Sequence, residues 1–326
     1  MQIFTKYWGD KKPFKSMLTR AKYVPYQECF SYQAPYTGES ILIDLKTILS
    51  EFRPTKIFVS SPGDSNVDHR ALYLFLQVAL WDLEGQIKKP QVFPYLVHFA
   101  NWPKPRGYHP NLVLQPPAKL SKVNINWFEY KLSSRPRENK KTAISCYRSQ
   151  IEYNPAYLYT FVRKNELFAI YPQIIVRERQ AELDWQEGME AGTMGSSLTD
   201  TETENSFESL AYMVNNGNLY IKIRLNKLLS INMGVNVFVF GYDKDRPFGD
   251  MPKIRIRIGT RGDTLIYDRR WPIFADEVKV EYKGKDLLIQ CPLSILGNPD
   301  YILSCVMASN KGLPLYETAW RILKLK

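Results

Sequence analysis

The residues best suited to chemistry gather in one run, Ser60-Ser61-Pro62-Gly63-Asp64-Ser65-Asn66-Val67-Asp68-His69-Arg70. Carboxylates, a carboxamide and an imidazole set this close together are the side chains that hold metals and move protons. The flanking sequence places them. Lys56-Ile57-Phe58-Val59-Ser60 is short, apolar and β-branched, and reads as a buried strand, while Arg70 to Glu84 carries Leu72, Phe75, Leu76, Ala79, Leu80 and Leu83 at helical spacing. A loop between a strand and a helix lies at the carboxyl end of an open α/β sheet, where ligands bind. The same residues also suit plain architecture: Asp68 is a good helix N-cap, and Asp64 and Asn66 suit turns.

Stepping outward, Glu39 to Phe52 sets Ile41, Leu42, Leu45, Ile48, Leu49 and Phe52 on one helical stripe that ends before Pro54. Gln91 to Phe99 reads as a further strand and delivers a second histidine, His98, to a carboxyl end. His109 falls in a polar loop, where exposure is expected. After the Pro-rich passage at Gln115, a strand is expected within Val123 to Leu132, then a helix from Ser134 with Pro136 in its first turn. Helices alternating with short apolar strands argue for a parallel, doubly wound sheet. Residues 1–38, rich in aromatics and turn formers, read as an irregular covering segment.

Asp64-Ser65-Asn66-Val67-Asp68-His69-Arg70-Ala71-Leu72 resembles the second motif of the PIG-L/LmbE family of zinc-dependent de-N-acetylases, Asp-x-His-Pro-Asp-His-x-x. Val97-His98 with Trp102-Pro103, the Lys141, Ala143, Tyr147, Ser149-Gln150 helix and Glu166-Leu167-Phe168 are similar to later parts of that family domain. The resemblance implies a Rossmann-like sheet, zinc as cofactor, His69 as a metal ligand and an N-acetylglucosamine-type conjugate as substrate. It casts Asn66, Asp68 and His98 as catalytic-site residues, with Asp68 orienting the site, and Trp102 and Gln150 as substrate contacts. Asn66 stands where many members have a second histidine, and Val67 replaces the proline. The family's remaining ligands and general base come from a His-Pro-Asp-Asp motif after the first strand; this chain has no histidine before His69. Since a catalytic zinc needs about three protein ligands, the expectation is an incomplete sheet, weak or absent zinc, and a chain cut short at Met1 and inactive alone.

From Glu178 to Glu208 nine acidic residues face Arg179 alone, and such sequence suits a linker. Beyond it the period changes to two. Leu219–Leu225, Val235–Tyr242, Lys253–Ile258, Thr264–Tyr267, Val278–Tyr282, Leu287–Cys291 and Tyr301–Met307 are expected strands of a β-sandwich. Strict alternation in Lys253–Ile258 predicts one buried face and one basic, wet face. The ending, Pro292 to Gly297 and Glu317 to Leu323, resembles DOMON-like and family 9 carbohydrate-binding sandwiches. Tyr242, Tyr267, Trp271 and Trp320 are expected in the core more than on a sugar platform. The domain expectation is therefore an α/β part at 1–176, an acidic linker at 177–210 and a sandwich at 211–326.

The chain has 326 residues, 44% hydrophobic and 24% charged, the balance of a soluble globular protein, and no apolar run long enough to span a bilayer. Its net charge of +11 is spread along the sequence without a nucleic-acid-binding signature, so no nucleic acid is expected; an acidic polysaccharide or an anionic surface fits the charge equally well, and the partner the resemblance implies is an amino-sugar conjugate or polysaccharide. Cys29, Cys146, Cys291 and Cys305 lack metal-site spacing; Cys291 and Cys305 fall on strands expected to be neighbours. The alternative to a deacetylase is a non-catalytic carbohydrate-binding protein with a relic deacetylase domain.

Overall fold

The computed structural model describes residues 4, 8–10, 12–120, 124–179, 189–190, 195–197, 207–229, 232–259 and 263–325. Helix α1, Gly38–Phe52, begins where the Thr37 hydroxyl accepts from the Ser40 amide, and ends on Arg53 in the left-handed region. It buries Leu42 and Leu49 and leaves Phe52 exposed. Its apolar stripe is therefore narrower than the spacing predicts. Strand β1, Lys56–Ser60, leads through the polar run into α2, Val67–Asp82, and then to β2, Gln91–Tyr95. The chain continues through β3, Asn126–Lys131, α3, Ser134–Ser145, the short helices α4, Arg148–Ile151, and α5, Pro155–Tyr159, and β4, Asn165–Ile170.

These strands form one sheet in the order β1-β2-β4-β3. Only β1 and β2 run parallel; β4 is antiparallel to both of its neighbours. The expected parallel, doubly wound Rossmann-like sheet is thus corrected to a small mixed one. The reason lies in the helices. A parallel connection needs a crossover helix buried on the sheet, which α2 supplies, whereas α3 buries none of its residues.

The rest of the chain is the β-sandwich that the period-two segments predict. One sheet takes the order Lys279–Lys283, Asp286–Pro292, Asn218–Leu225, Phe207–Asn215 and Glu178–Arg179, with Met189–Glu190 also paired to Phe207–Asn215. The other runs Trp271–Ile273, Thr264–Asp268, Lys253–Gly259, Met233–Tyr242, Tyr301–Asn310, Leu313–Thr318 and Gly195–Ser197, with Arg321–Leu325 pairing Tyr301–Asn310 and Ile174–Val176. Val235, Val237, Ile254, Ile256, Ile221 and Ile289 fill the space between the sheets. Most of the expected acidic linker lies outside the described residues. Its described pieces at 178–179, 189–190 and 195–197 are hydrogen-bonded to sandwich strands. Cys291 and Cys305 are both buried free thiols in different sheets, correcting the expectation of neighbouring strands. Lys253 departs from the wet basic face: its side chain is fully buried, and its ammonium donates to the carbonyls of Phe248 and Met251.

Met233–Tyr242 reads almost continuously apolar because both faces of its sheet are covered. Val235, Val237 and Val239 point into the sandwich, while Phe240 and Tyr242 join Leu303, Trp320 and Ile322 on the outer face. Helix α2 packs there through Leu74, Phe75 and Val78 together with Trp8 and Phe4 of the amino end. Wedged between β1 and the sandwich, α2 is buried nearly all round, which explains why Tyr73, Leu74 and Val78 join the residues expected on its single apolar face. The two halves share one core. On the far side of the small sheet, the rings of Phe58, Phe93, Phe128 and Phe168 meet, and Phe58 and Phe128 stay exposed.

Candidate functional site

The turn after β1 is organised by Asp64, whose side chain is fully buried. One carboxylate oxygen accepts from the Asn66 amide at 2.8 Å, and the other accepts from the amides of Val97 and His98, each at 2.9 Å. The second oxygen also lies 3.2 Å from His69 Nδ1, a close polar contact bent away from hydrogen-bond alignment. Burial alone would raise this carboxyl; the His69 contact and the three amides outweigh it and hold the group below its ordinary range. Asp64 is therefore ionised at neutral pH and ties the loop after β1 to the loop after β2. The Ser65 amide adds a 2.9 Å bond to the His98 carbonyl.

This brings the two histidines together, with ring centroids 5.0 Å apart. His69 is about one-third exposed and His98 half-buried. Tyr157 of α5 stacks on His98 at 5.5 Å, donates its hydroxyl proton to the Val97 carbonyl at 2.7 Å, and places its oxygen 3.0 Å from His98 Nδ1. A phenol has one proton to give. With that proton on Val97, His98 Nδ1 carries its own hydrogen toward Tyr157, and Nε2 keeps a free lone pair. Burial lowers the His98 pKa, opposed by Asp64 and helped by His69, so the ring is neutral at pH 7. The Arg106 guanidinium lies 4.8 Å over the Tyr157 ring, and burial pushes that phenol up to about 12. The site is a polar, aromatic-walled rim at the carboxyl ends of the parallel pair.

The residues expected to act here divide. His69 and His98 meet at the rim. Asn66 is the N-cap of α2: its side-chain oxygen accepts from the Asp68 and His69 amides, the capping role expected of Asp68. Asp68 is exposed in the first helical turn, and the orienting contact to His69 comes from Asp64 instead. Trp102, expected as a substrate contact, is buried, its indole donating to the Gln115 carbonyl at 2.7 Å and its ring against Phe161. Gln150 is exposed on α4 and makes no side-chain hydrogen bond to either histidine. Tyr157 and Arg106 carry no signal in the sequence: Tyr157 lies 59 residues from His98, and Arg106 stands in a loop without a motif.

Among the described residues no group of three His, Cys, Asp or Glu side chains is arranged to hold a metal. His69 and His98 each keep an Nε2 lone pair, but the carboxylate of Asp64 is buried and already engaged. Two donors fall short of the three ligands of a catalytic zinc.

The sandwich grips this rim from behind. Arg70, next to His69, forms a buried ion pair with Glu317 at 2.9 Å. The Pro62 carbonyl accepts from the Trp320 amide at 3.3 Å, and Ser61 donates to the Tyr171 hydroxyl at 3.3 Å. A side chain at Gly63 would strike that hydroxyl, its Cβ lying 2.5 Å away.

The chain matches no protein-family model and no curated protein. Among solved structures it is similar to a carbohydrate-binding module of family 9 from Caldicellulosiruptor kristjanssonii in complex with cellotriose, at 13% identity and a TM-score of 0.31, over 48% of this chain and 94% of that one. A family 9 module from the same organism in complex with glucose gives 11% identity and a TM-score of 0.33, over 48% and 96%.

Proposed function

We propose that the chain is a carbohydrate-binding protein whose His69–His98 rim holds an N-acetylated amino-sugar conjugate without hydrolysing its amide. The observation that carries this reading is the state of Asp64. A carboxylate that accepts from three backbone amides and contacts His69 is neither a metal ligand nor a free general base. What remains at the rim is two imidazole lone pairs that accept from hydroxyls, the Tyr157 ring, and Arg106 as a donor. These are groups that orient a sugar through its hydroxyls. The resemblance of Asp64 to Leu72 to an amino-sugar hydrolase motif supports the ligand class.

One observation favours the second reading, a zinc-dependent de-N-acetylase. A carboxylate against Nδ1 of a histidine is the arrangement that orients a metal-binding imidazole, leaving Nε2 for the ion. The two readings part in one experiment: titration of the protein with N-acetylglucosamine oligomers by calorimetry, with acetate release followed with and without added zinc. Saturable binding, weakened at least about tenfold in His98→Ala, with no acetate released, supports the binding protein. Acetate release that depends on zinc and disappears in His69→Ala would overturn it in favour of the hydrolase.

A further inference from the structure

The sandwich carries a charge pattern that the histidine rim leaves unused. On the outer face of its larger sheet, Lys253–Gly259 sends Lys253, Arg255 and Arg257 to one side and Ile254, Ile256 and Ile258 into the core. Lys253 is taken up by the carbonyls of Phe248 and Met251. The other two cations remain, Arg255 half-buried and Arg257 exposed. Two positions apart on one strand, they stand about 7 Å from each other on the same face.

Their cross-strand neighbours decide what these cations can meet. Phe238 and Tyr267 flank Arg255, and Asn236 and Leu265 flank Arg257, so no carboxylate stands beside either one in the sheet. Further along the row the Asp263 carboxylate lies against Gly259. Neither guanidinium forms an ion pair among the described residues. Arg255 is held in place nonetheless: its guanidinium lies 4.2 Å over the Tyr267 ring, and of its nitrogens only Nε is shut from water without a partner. Burial lowers its pKa, with Tyr267 opposing that shift and Arg257 adding to it. A desolvated cation with no opposite charge works against folding. Methionine there would cover the sheet without that cost.

We infer that Arg255 and Arg257 form a binding site for a carboxylate-bearing polysaccharide, on the sandwich and separate from the histidine rim. The carbohydrate class rests on the proposed function; the site itself rests on the two unpaired arginines. The outward Nη1 and Nη2 fork of Arg255 takes one uronate carboxylate in two parallel hydrogen bonds, and Arg257 takes a carboxylate further along the polymer. Leu265, 46% exposed, packs against the C–H face of a sugar ring. A nucleic-acid strand suits this face less well. Arg255 already covers one side of Tyr267, and Phe238 is turned to Trp320 at 5.8 Å, which leaves bases little ring surface to stack on.

The test is calorimetric titration of the full chain, at fixed ionic strength, with oligogalacturonate, with its methyl ester and with a single-stranded RNA of equal charge. Oligogalacturonate is expected to bind, and the ester, which has lost the negative charge, is not. Arg255→Gln with Arg257→Gln is expected to weaken that binding at least about tenfold without lowering the unfolding temperature, since neither side chain has an ion pair to lose. Arg255→Lys, which keeps the charge but not the fork, should give an intermediate affinity. Equal binding of acid and ester, acid binding untouched by the double change, or no binding of the acid would each overturn the inference. So would RNA that binds more tightly than the acid through the same two arginines. N-acetylglucosamine oligomers should bind the double variant as they bind the native chain; if they bind neither while the arginine-dependent uronate binding is kept, the histidine-rim reading fails and this one stands.

Discussion

The two ends of α2 are held to the sandwich by opposite means. At the amino end the contact is polar: Arg70 pairs with Glu317, whose other oxygen accepts from the Cys305 thiol. Burial pushes the Glu317 carboxyl above its ordinary range, and Arg70 and Cys305 only partly pull it back. At the carboxyl end the contact is aromatic, Trp81 lying against Tyr242 and Tyr301, with the Tyr242 hydroxyl donating to Asp82. Desolvation offsets much of what a buried ion pair gains, while aromatic burial is favourable with little directional demand. The aromatic end thus supplies adhesion. The polar end fixes rotation and depth, and so decides where His69 points.

The largest effects should come from leaving one of those charges alone. Glu317→Ala is expected to cost about 3–5 kcal/mol in urea unfolding, because Arg70 would remain buried without its partner. The double change Arg70→Met with Glu317→Leu should recover most of that stability, yet alter the His69 ring signals in NMR; unchanged signals would remove the positioning role from the pair. Trp81→Ala should cost a similar 3–5 kcal/mol through the lost packing, but leave binding at the histidine rim within about twofold. If rim binding collapses instead, the division between adhesion and positioning is wrong.

A smaller effect concerns pH. Asp64 is held below its ordinary value of 3.8, so its contribution is complete above that value and disappears as pH falls through the lower folded one. Urea midpoints taken from about pH 6 down to about pH 2 should fall in the native chain and fall less in Asp64→Asn. Parallel acid limbs in the two proteins would show that Asp64 does not carry the titration. The smallest expected change is Asn66→Ala, about 1 kcal/mol for a lost N-cap, read from the same unfolding curves. A loss well beyond that, or one confined to sugar binding, would give Asn66 a role past capping.

Local patterns marked a good deal of this molecule. Lys56–Ser60 is a strand because a short β-branched apolar run has one face to bury and a turn on either side. Alternation in Asn218–Leu225 and Asp286–Pro292 reports one buried face, which period two expresses directly. The His69 turn was legible from the same logic, since strand, loop and helix set it at the carboxyl end of the sheet.

What sequence alone determined was therefore the local elements, the sandwich and the position of His69 at a rim. Tertiary structure decided the rest. It chose Asp64 over Asp68 as the group against His69, because the loop after β2 brings the amides of Val97 and His98 to that carboxylate alone. It made the small sheet mixed, since α3 has no apolar face to lay across it. It also buried most of α2, leaving Val67, Asp68 and Leu72 exposed, because the sandwich presents a second apolar face that no pattern within the helix can report. Periodicity records how much of a side chain is hidden from water, whereas partner and place follow from distant segments meeting in space.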